Sequence, residues 1–222
     1  MALFTEWTTD TNYDENSSVR IIESPINPVS HDHSLVISGT TGSHSPSHAY
    51  GAISAKNPPY SKGFTWGRIR TLMRIGTVDN CCAGIYCLAS QPSVTNIGSV
   101  YICGTNIYGK LYLQKNDTDG LTCRNSSVIL SMEEIFEADK TYALELLWKV
   151  SWKQFHGIEF MIKKWNDKSF ETLETVGHTI YHNDYMENHI PCAEGIYAGT
   201  FTHPTDFNVA FGHTQISKIS PR

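Results

Sequence analysis

The run FTWGRIRTLMRI places Arg68, Arg70 and Arg74 on one side of a pleated strand, with Leu72 between them. In the runs that follow, Tyr86, Tyr101, Tyr108, Lys110, Tyr112 and Gln114 each belong to an alternating polar or aromatic set, and register permitting they join the arginines. Together these nine residues form a candidate ligand-binding set. Its chemistry suits sugar, because rings stack on C–H faces and cations hold carboxylates or sulfates. The same residue types are also ordinary on a solvent-side or interface face, so the pattern nominates a surface and nothing more.

Other chemistry is sparser. His31, His33, His44 and His48 fall in one loop-rich segment, and His178, His182 and His189 with Cys192 in another, at spacings that match no zinc signature. The loop Asn116 to Gly120 clusters oxygen ligands, Asp117 and Asp119 among them, in a partial calcium pattern that an Asp-Gly turn also explains. Apart from that calcium candidate no cofactor is expected. There is no Gly-rich phosphate loop, no Gly-x-Ser-x-Gly elbow and no cysteine with an evident histidine partner. Glu145 and Glu159 stand singly on neighbouring strands beside lysines, which reads as solvated charge on an exposed sheet face.

The elements that must position these residues are strands. Tyr142 to Trp152 and Gly157 to Trp165 alternate with a period of two, and a hairpin with two tryptophans needs a facing layer, so Trp148 and Trp152 are core candidates. Further strands are expected at Ser34 to Gly39, Phe64 to Ile75, Ala83 to Ser90, Gly98 to Cys103, Ile107 to Lys115 and Glu171 to Val176, with two closing strands in GIYAGTFTH and DFNVAFGHTQISKI. His178 to Pro191 reads as irregular. Ser131 with Glu134 three residues on forms a capping box, which predicts one short helix in SMEEIFEADK. The fold class is therefore all-β, an antiparallel β-sandwich with one short helix, as a single domain over 1–222. Residues 1–30 read as an N-terminal arm or edge strand. Residues 40–63 read as a long Gly/Ser/Pro-rich loop, with one short strand at Tyr50 to Ala55.

Composition bounds the partners. The chain has 222 residues, 40% of them apolar, and a net charge of -5, so it has a core but no basic field to hold nucleic acid. No apolar run approaches the length that crosses a bilayer, and Met1 is not followed by a basic and then apolar leader. No membrane insertion and cytoplasmic synthesis are expected. On that reading the six cysteines stay reduced, and the sequons at Asn16, Asn116 and Asn125 serve as turn residues.

The second half resembles the concanavalin A-like lectin/glucanase superfamily, particularly its laminin-G-like members. KTYALELLWKVSWKQFHGIEFMIKKW looks like their central pair of long strands, and EGIYAGTFTHPTDFNVAFGHTQI is similar to their closing signature. The resemblance spans roughly residues 60 to 219 and implies a jelly roll, an architecture that hosts lectins, adhesion modules, virion proteins, hydrolases and lyases. The glucanase carboxylate motif Glu-x-Asp-x-x-Glu is missing. So are the glutamate of the lyase strand Arg-x-Glu-Leu/Val-Arg and its Gln-Ile/Val-His partner. The expectation is accordingly a non-catalytic, lectin-like glycan-binding or adhesion and assembly module, plausibly a phage or viral structural component that meets glycan, protein neighbours or further copies of itself. The alternative is a polysaccharide lyase acting on an anionic uronate glycan, with Tyr112, Tyr108 and Arg70 as its catalytic set and Arg68 beside them.

Overall fold

The computed structural model describes residues 7–24, 34–43, 48–55, 66–76, 80–89, 100–106, 108–116, 126–151, 157–165, 173–182, 193–200 and 205–219. These form fourteen strands: β1 (Trp7–Tyr13), β2 (Ser18–Ser24), β3 (Ser34–Thr40), β4 (Ala49–Ala55), β5 (Trp66–Ile75), β6 (Cys82–Ala89), β7 (Val100–Thr105), β8 (Lys110–Asn116), β9 (Ser126–Ile135), β10 (Thr141–Ser151), β11 (Gly157–Trp165), β12 (Glu174–His182), β13 (Ala193–Thr200) and β14 (Asp206–Lys218). Sheet A runs β1-β4-β13-β6-β7-β8-β9, and sheet B runs β12-β11-β10-β5-β14-β3-β2. Every pairing is antiparallel.

Alternation explains why the two sheets face each other. On sheet B the inward residues include Ile69 and Met73 of β5, Leu144, Leu146 and Trp148 of β10, and Phe160 and Ile162 of β11. Sheet A answers with Ile53, Ile85, Tyr101, Cys103, Leu113 and Ile196, all buried in the same cluster. The rings of Tyr101 and Phe160 meet across the layers with centroids 5.1 Å apart. The hairpin of β10 and β11 pairs Trp148 with Phe160 and Leu146 with Ile162. It lies second and third from one edge of sheet B, and it lays its apolar side on the other sheet. Trp152 lies outside the described residues.

The expected helix is absent, since no helix occurs among the described residues and SMEEI belongs to β9. Within that stretch Leu130 and Met132 pack on the core while Ser131 and Glu133 are exposed, a period of two that a helix cannot satisfy. β9 also finds ladder partners along β8, with Leu113 opposite Leu130 and Tyr112 opposite Ser131. A cap contributes about 1 kcal/mol, which burial of Met132 and Phe136 together with a strand's hydrogen bonds readily exceeds. The chain then turns at Glu137 to Lys140, where Asp139 adopts φ 61° and Lys140 Nζ donates to Glu137 Oε1 at 2.8 Å.

Two further segments carry more strand than the sequence suggests. β12 extends through His178 and His182, so the first part of the stretch expected to be irregular is paired with β11. At the other terminus β1 is the edge of sheet A and β2 the edge of sheet B. The chain crosses between them at Asp14, whose carboxylate accepts from Ser17 Oγ (2.6 Å), Asn16 N (3.1 Å) and His48 N (2.9 Å). Those bonds hold a corner in the manner of an Asx turn. No helix among the described residues is long and apolar enough to cross a membrane.

Candidate functional site

The structure divides the nine nominated residues between the two sheets. Arg68, Arg70 and Arg74 lie on β5, on the outer face of sheet B, and each has an acidic or amide partner there. Arg70 donates to Gln215 Oε1 through Nε (2.9 Å) and through its terminal nitrogen (2.6 Å). Arg74 pairs with Asp139 at 2.9 Å, and Arg68 stands 4.0 Å from Glu145. Glu145 is not a solvated charge, since it is only 5% exposed and also has Lys163 Nζ at 3.6 Å. Glu159 instead pairs with His178 at 2.9 Å. Glu145 sits opposite Lys163 and Glu159 opposite Lys149. The two acids are therefore four residues apart along the ladder, about 13 Å, well beyond the reach of a glycosidase carboxylate pair.

Tyr86, Tyr101, Lys110, Tyr112 and Gln114 are all in sheet A, but not on one face. Tyr101 points inward and belongs to the inter-sheet core. Tyr86, Lys110, Tyr112 and Gln114 occupy the outer face, and Tyr108 stands at its rim, 73% exposed. Asn106 builds that rim: its Oδ1 accepts from Tyr108 N (3.0 Å) and Lys110 N (3.1 Å), which closes the β7 to β8 connection around Gly109 at φ 72°.

Register turns the outer face into rows. One row runs Ala52, Tyr197, Gly84, Gly104, Tyr112 and Ser131 across six strands. Two tyrosines thus flank two glycines, with about 14 Å between the outer strands at ordinary sheet spacing. The glycines are required by close approach: a Cβ on Gly104 would collide with the Ala83 carbonyl and stand 2.9 Å from Gly84 Cα. The row therefore carries no side chain on its two central strands, where both glycines are buried.

The next row runs Ser54, Gly195, Tyr86, Ile102, Gln114 and Val128. Here Tyr86 lies across Gly195, where a Cβ would be 2.8 Å from the phenol oxygen, and its hydroxyl shares a short hydrogen bond with Ser54 Oγ. Gln114 is 6% exposed and its Oε1 is buried with no hydrogen-bond partner among the described residues. Such an atom costs about 1–3 kcal/mol unless something supplies its bond. Since the amide's O and N are assigned and not seen, either end of it can be the one offered to a ligand.

Sequence reasoning did not single out Tyr50, Tyr197 or the glycine pair. Tyr50 and Tyr197 join Cys82, Tyr86, Val100 and Ile102 in a second buried cluster on this outer face. Their signal was present in AYGAIS and GIYAG, where tyrosine alternates with glycine or alanine, the pattern of a ring lying beside an open backbone. Among the described outer-face positions of β4, β13, β6, β7 and β8 there is no aspartate or glutamate.

No group of three metal-ligating side chains occurs among the described residues, and Asp117 and Asp119 lie outside them. Four cysteines, Cys81, Cys82, Cys87 and Cys103, are buried thiols outside any disulfide. Burial pushes the Cys103 thiol well up, and burial with the Glu194 charge and Cys103 does the same to Cys87. Both are packing groups and not nucleophiles.

No protein-family profile matches the chain, and no curated protein matches it by sequence. Solved structures do match in fold. A marine alginate lyase from Aplysia kurodai superposes with a TM-score of 0.56 at 13% identity, covering 97% of this chain and 92% of that one. An endo-β-1,4-glucuronan lyase from the fungus Trichoderma reesei gives 0.55 at 8% identity, covering 98% and 96%. A seed lectin of Lotus tetragonolobus gives 0.50 at 5% identity, covering 97% and 100%. These matches correct the expectation of a non-catalytic binding or assembly module. The two lyases superpose slightly better than the lectin does, and at these identities each likeness is one of fold.

Proposed function

We propose that this chain, whose fold is that of the concanavalin A-like lectin/glucanase superfamily, is a polysaccharide lyase acting on a uronate glycan at the outer face of sheet A. The observation that carries this reading is the composition of that face. It offers a phenol (Tyr112), an ammonium (Lys110) and a buried amide (Gln114) along β8, and no carboxylate among the described outer-face positions of β4, β13, β6, β7 and β8; the edge strands β1 and β9 carry single acids at positions of that face, Asp10 and Glu133, at opposite ends of the sheet. Hydrolysis of a glycosidic bond ordinarily needs two carboxylates. Elimination needs none.

In the elimination a base removes the proton from C5, next to the uronate carboxylate. The released electron pair forms the C4–C5 double bond, the bond from C4 to the glycosidic oxygen breaks, and that oxygen takes a proton. No water is added. Tyr112 is the proton-transfer group, in register with Gly104 and partly exposed on the outer face. Gln114, two residues on and therefore on the same side, offers its amide to the substrate carboxylate, whose charge grows as C5 loses its proton. Lys110 adds a positive charge at the exposed end of the same strand, and Tyr108 provides a ring at the rim. Arg70, on the other sheet and bonded to Gln215, has no part in this set.

The test is to incubate the protein with glucuronan and with alginate and to follow ultraviolet absorbance of the unsaturated ends. Absorbance should rise with at least one uronan and stay flat with a neutral β-glucan. Silence across a broad panel of uronans sinks the reading.

A further inference from the structure

On the outer face of sheet B, away from the proposed active face, strands β2, β3 and β14 hold a depression of about 640 Å³. Two register rows line it. Arg20, Ser38 and Asn208 form one, and Ser18, Thr40 and Asp206 the other. The neighbouring strand ends at Gly76, whose lack of a side chain leaves the side of the depression open, and Gly76 N donates to the Asn208 carbonyl at 2.8 Å, which fixes that wall.

None of these six side chains makes a hydrogen bond or ion pair among the described residues. That sets them apart from Arg68, Arg70 and Arg74 on the same face, which are all engaged. Three hydroxyls, one amide, one guanidinium and one carboxylate are thus offered outward in a grid about 10 Å wide and 7 Å high. A grid of that size covers two linked pyranose rings. Its mixture of donors and acceptors matches ring hydroxyls, which both donate and accept. Arg20 and Asp206 occupy opposite corners, about 12 Å apart. The diagonal sets a carboxylate bound at Arg20 apart from Asp206, and Asp206 is left to accept from hydroxyls of the adjoining ring.

We propose that this depression is a second glycan-binding site, for a hexuronate oligosaccharide held by Arg20 through a carboxylate and by Asn208 and Asp206 through hydroxyls. The ligand class coincides with that of the proposed substrate, and in that respect alone the inference rests on the proposed function; binding here requires no turnover. The experiment uses the Tyr112→Phe chain, so that the probe is not consumed, and titrates it with tetraglucuronate while amide resonances are followed. Amides of residues 18–20, 38–40 and 206–208 should shift saturably, and Arg20→Ala with Asn208→Ala should weaken that titration by tenfold or more while folding, read from the remaining resonances, is unchanged. A neutral β-1,4-glucotetraose should leave those amides still. Shifts confined to β8 and its neighbours overturn the second site and leave the lyase reading standing. Equal shifts with the neutral sugar overturn its recognition of the carboxylate. Shifts at the second site from a protein without lyase activity on any uronan support this site and dismiss the active face.

Discussion

Tyr112 and Gln114 project from the same side of β8, and each makes a separable prediction. Removing the hydroxyl in Tyr112→Phe keeps the ring and removes the proton-transfer group, so kcat should fall by about 10²–10⁴ with little change in stability. Gln114→Ala removes a buried amide whose Oε1 has no hydrogen-bond partner among the described residues. Its effect on turnover should be about 10²–10³. It should not destabilise the fold and can stabilise it slightly, because a buried unsatisfied atom disappears. Urea denaturation of the free variant alongside its kinetics checks both halves. A large loss of stability would mean that the amide supports the sheet instead of facing ligand.

At the scale of elements, the close approach of β6 and β7 depends on Gly84 and Gly104, and the sandwich depends on the hairpin. Gly104→Ala places a Cβ against the Ala83 carbonyl, so the β6 to β7 pair must shift, at a cost of about 1–3 kcal/mol. Turnover should fall by more than that loss of stability explains, because Tyr112 is paired opposite Gly104 and moves with it. Phe160→Ala empties a fully buried site against Tyr101 and should cost about 3–5 kcal/mol by chemical denaturation. The strand pattern of this hairpin was legible because Tyr142 to Trp165 alternates cleanly. The helix expected at Ser131 was not a strand by local criteria, since a capping box is a four-residue signal and the pairing of β9 with β8 is a long-range one. The face of each candidate residue was legible strand by strand: Lys110, Tyr112 and Gln114 share a strand, and alternation places them on one side. Which sheet a strand joins is set by topology, and no periodicity tells that β5 crosses to the layer opposite β8.

For the whole molecule, two of the buried thiols, Cys87 and Cys103, tie stability to pH. The Cys87 and Cys103 pKa values are raised in the folded chain, so the fold favours the protonated thiol. Their contribution is fully present below the unfolded thiol pKa of about 8.5 and is lost as pH rises above it, since only the unfolded chain then ionises. Urea midpoints should drop between pH 8 and pH 10, and the drop should be smaller in Cys87→Ala/Cys103→Ala than in the parent. A thiol reagent at neutral pH should leave both residues unmodified until the chain is denatured, as mass mapping of each cysteine would show.

The central claim, that sheet A of this jelly roll cleaves a uronan by elimination, is tested most directly by the origin of the oxygen in the product. The protein is incubated with a uronan in water enriched in the heavy oxygen isotope, and the oligosaccharides are weighed by mass spectrometry at early times, before the new reducing ends exchange. Elimination predicts products with an unsaturated end and no heavy oxygen from cleavage. Saturated products that carry one heavy oxygen per cleaved bond would show hydrolysis and contradict the account.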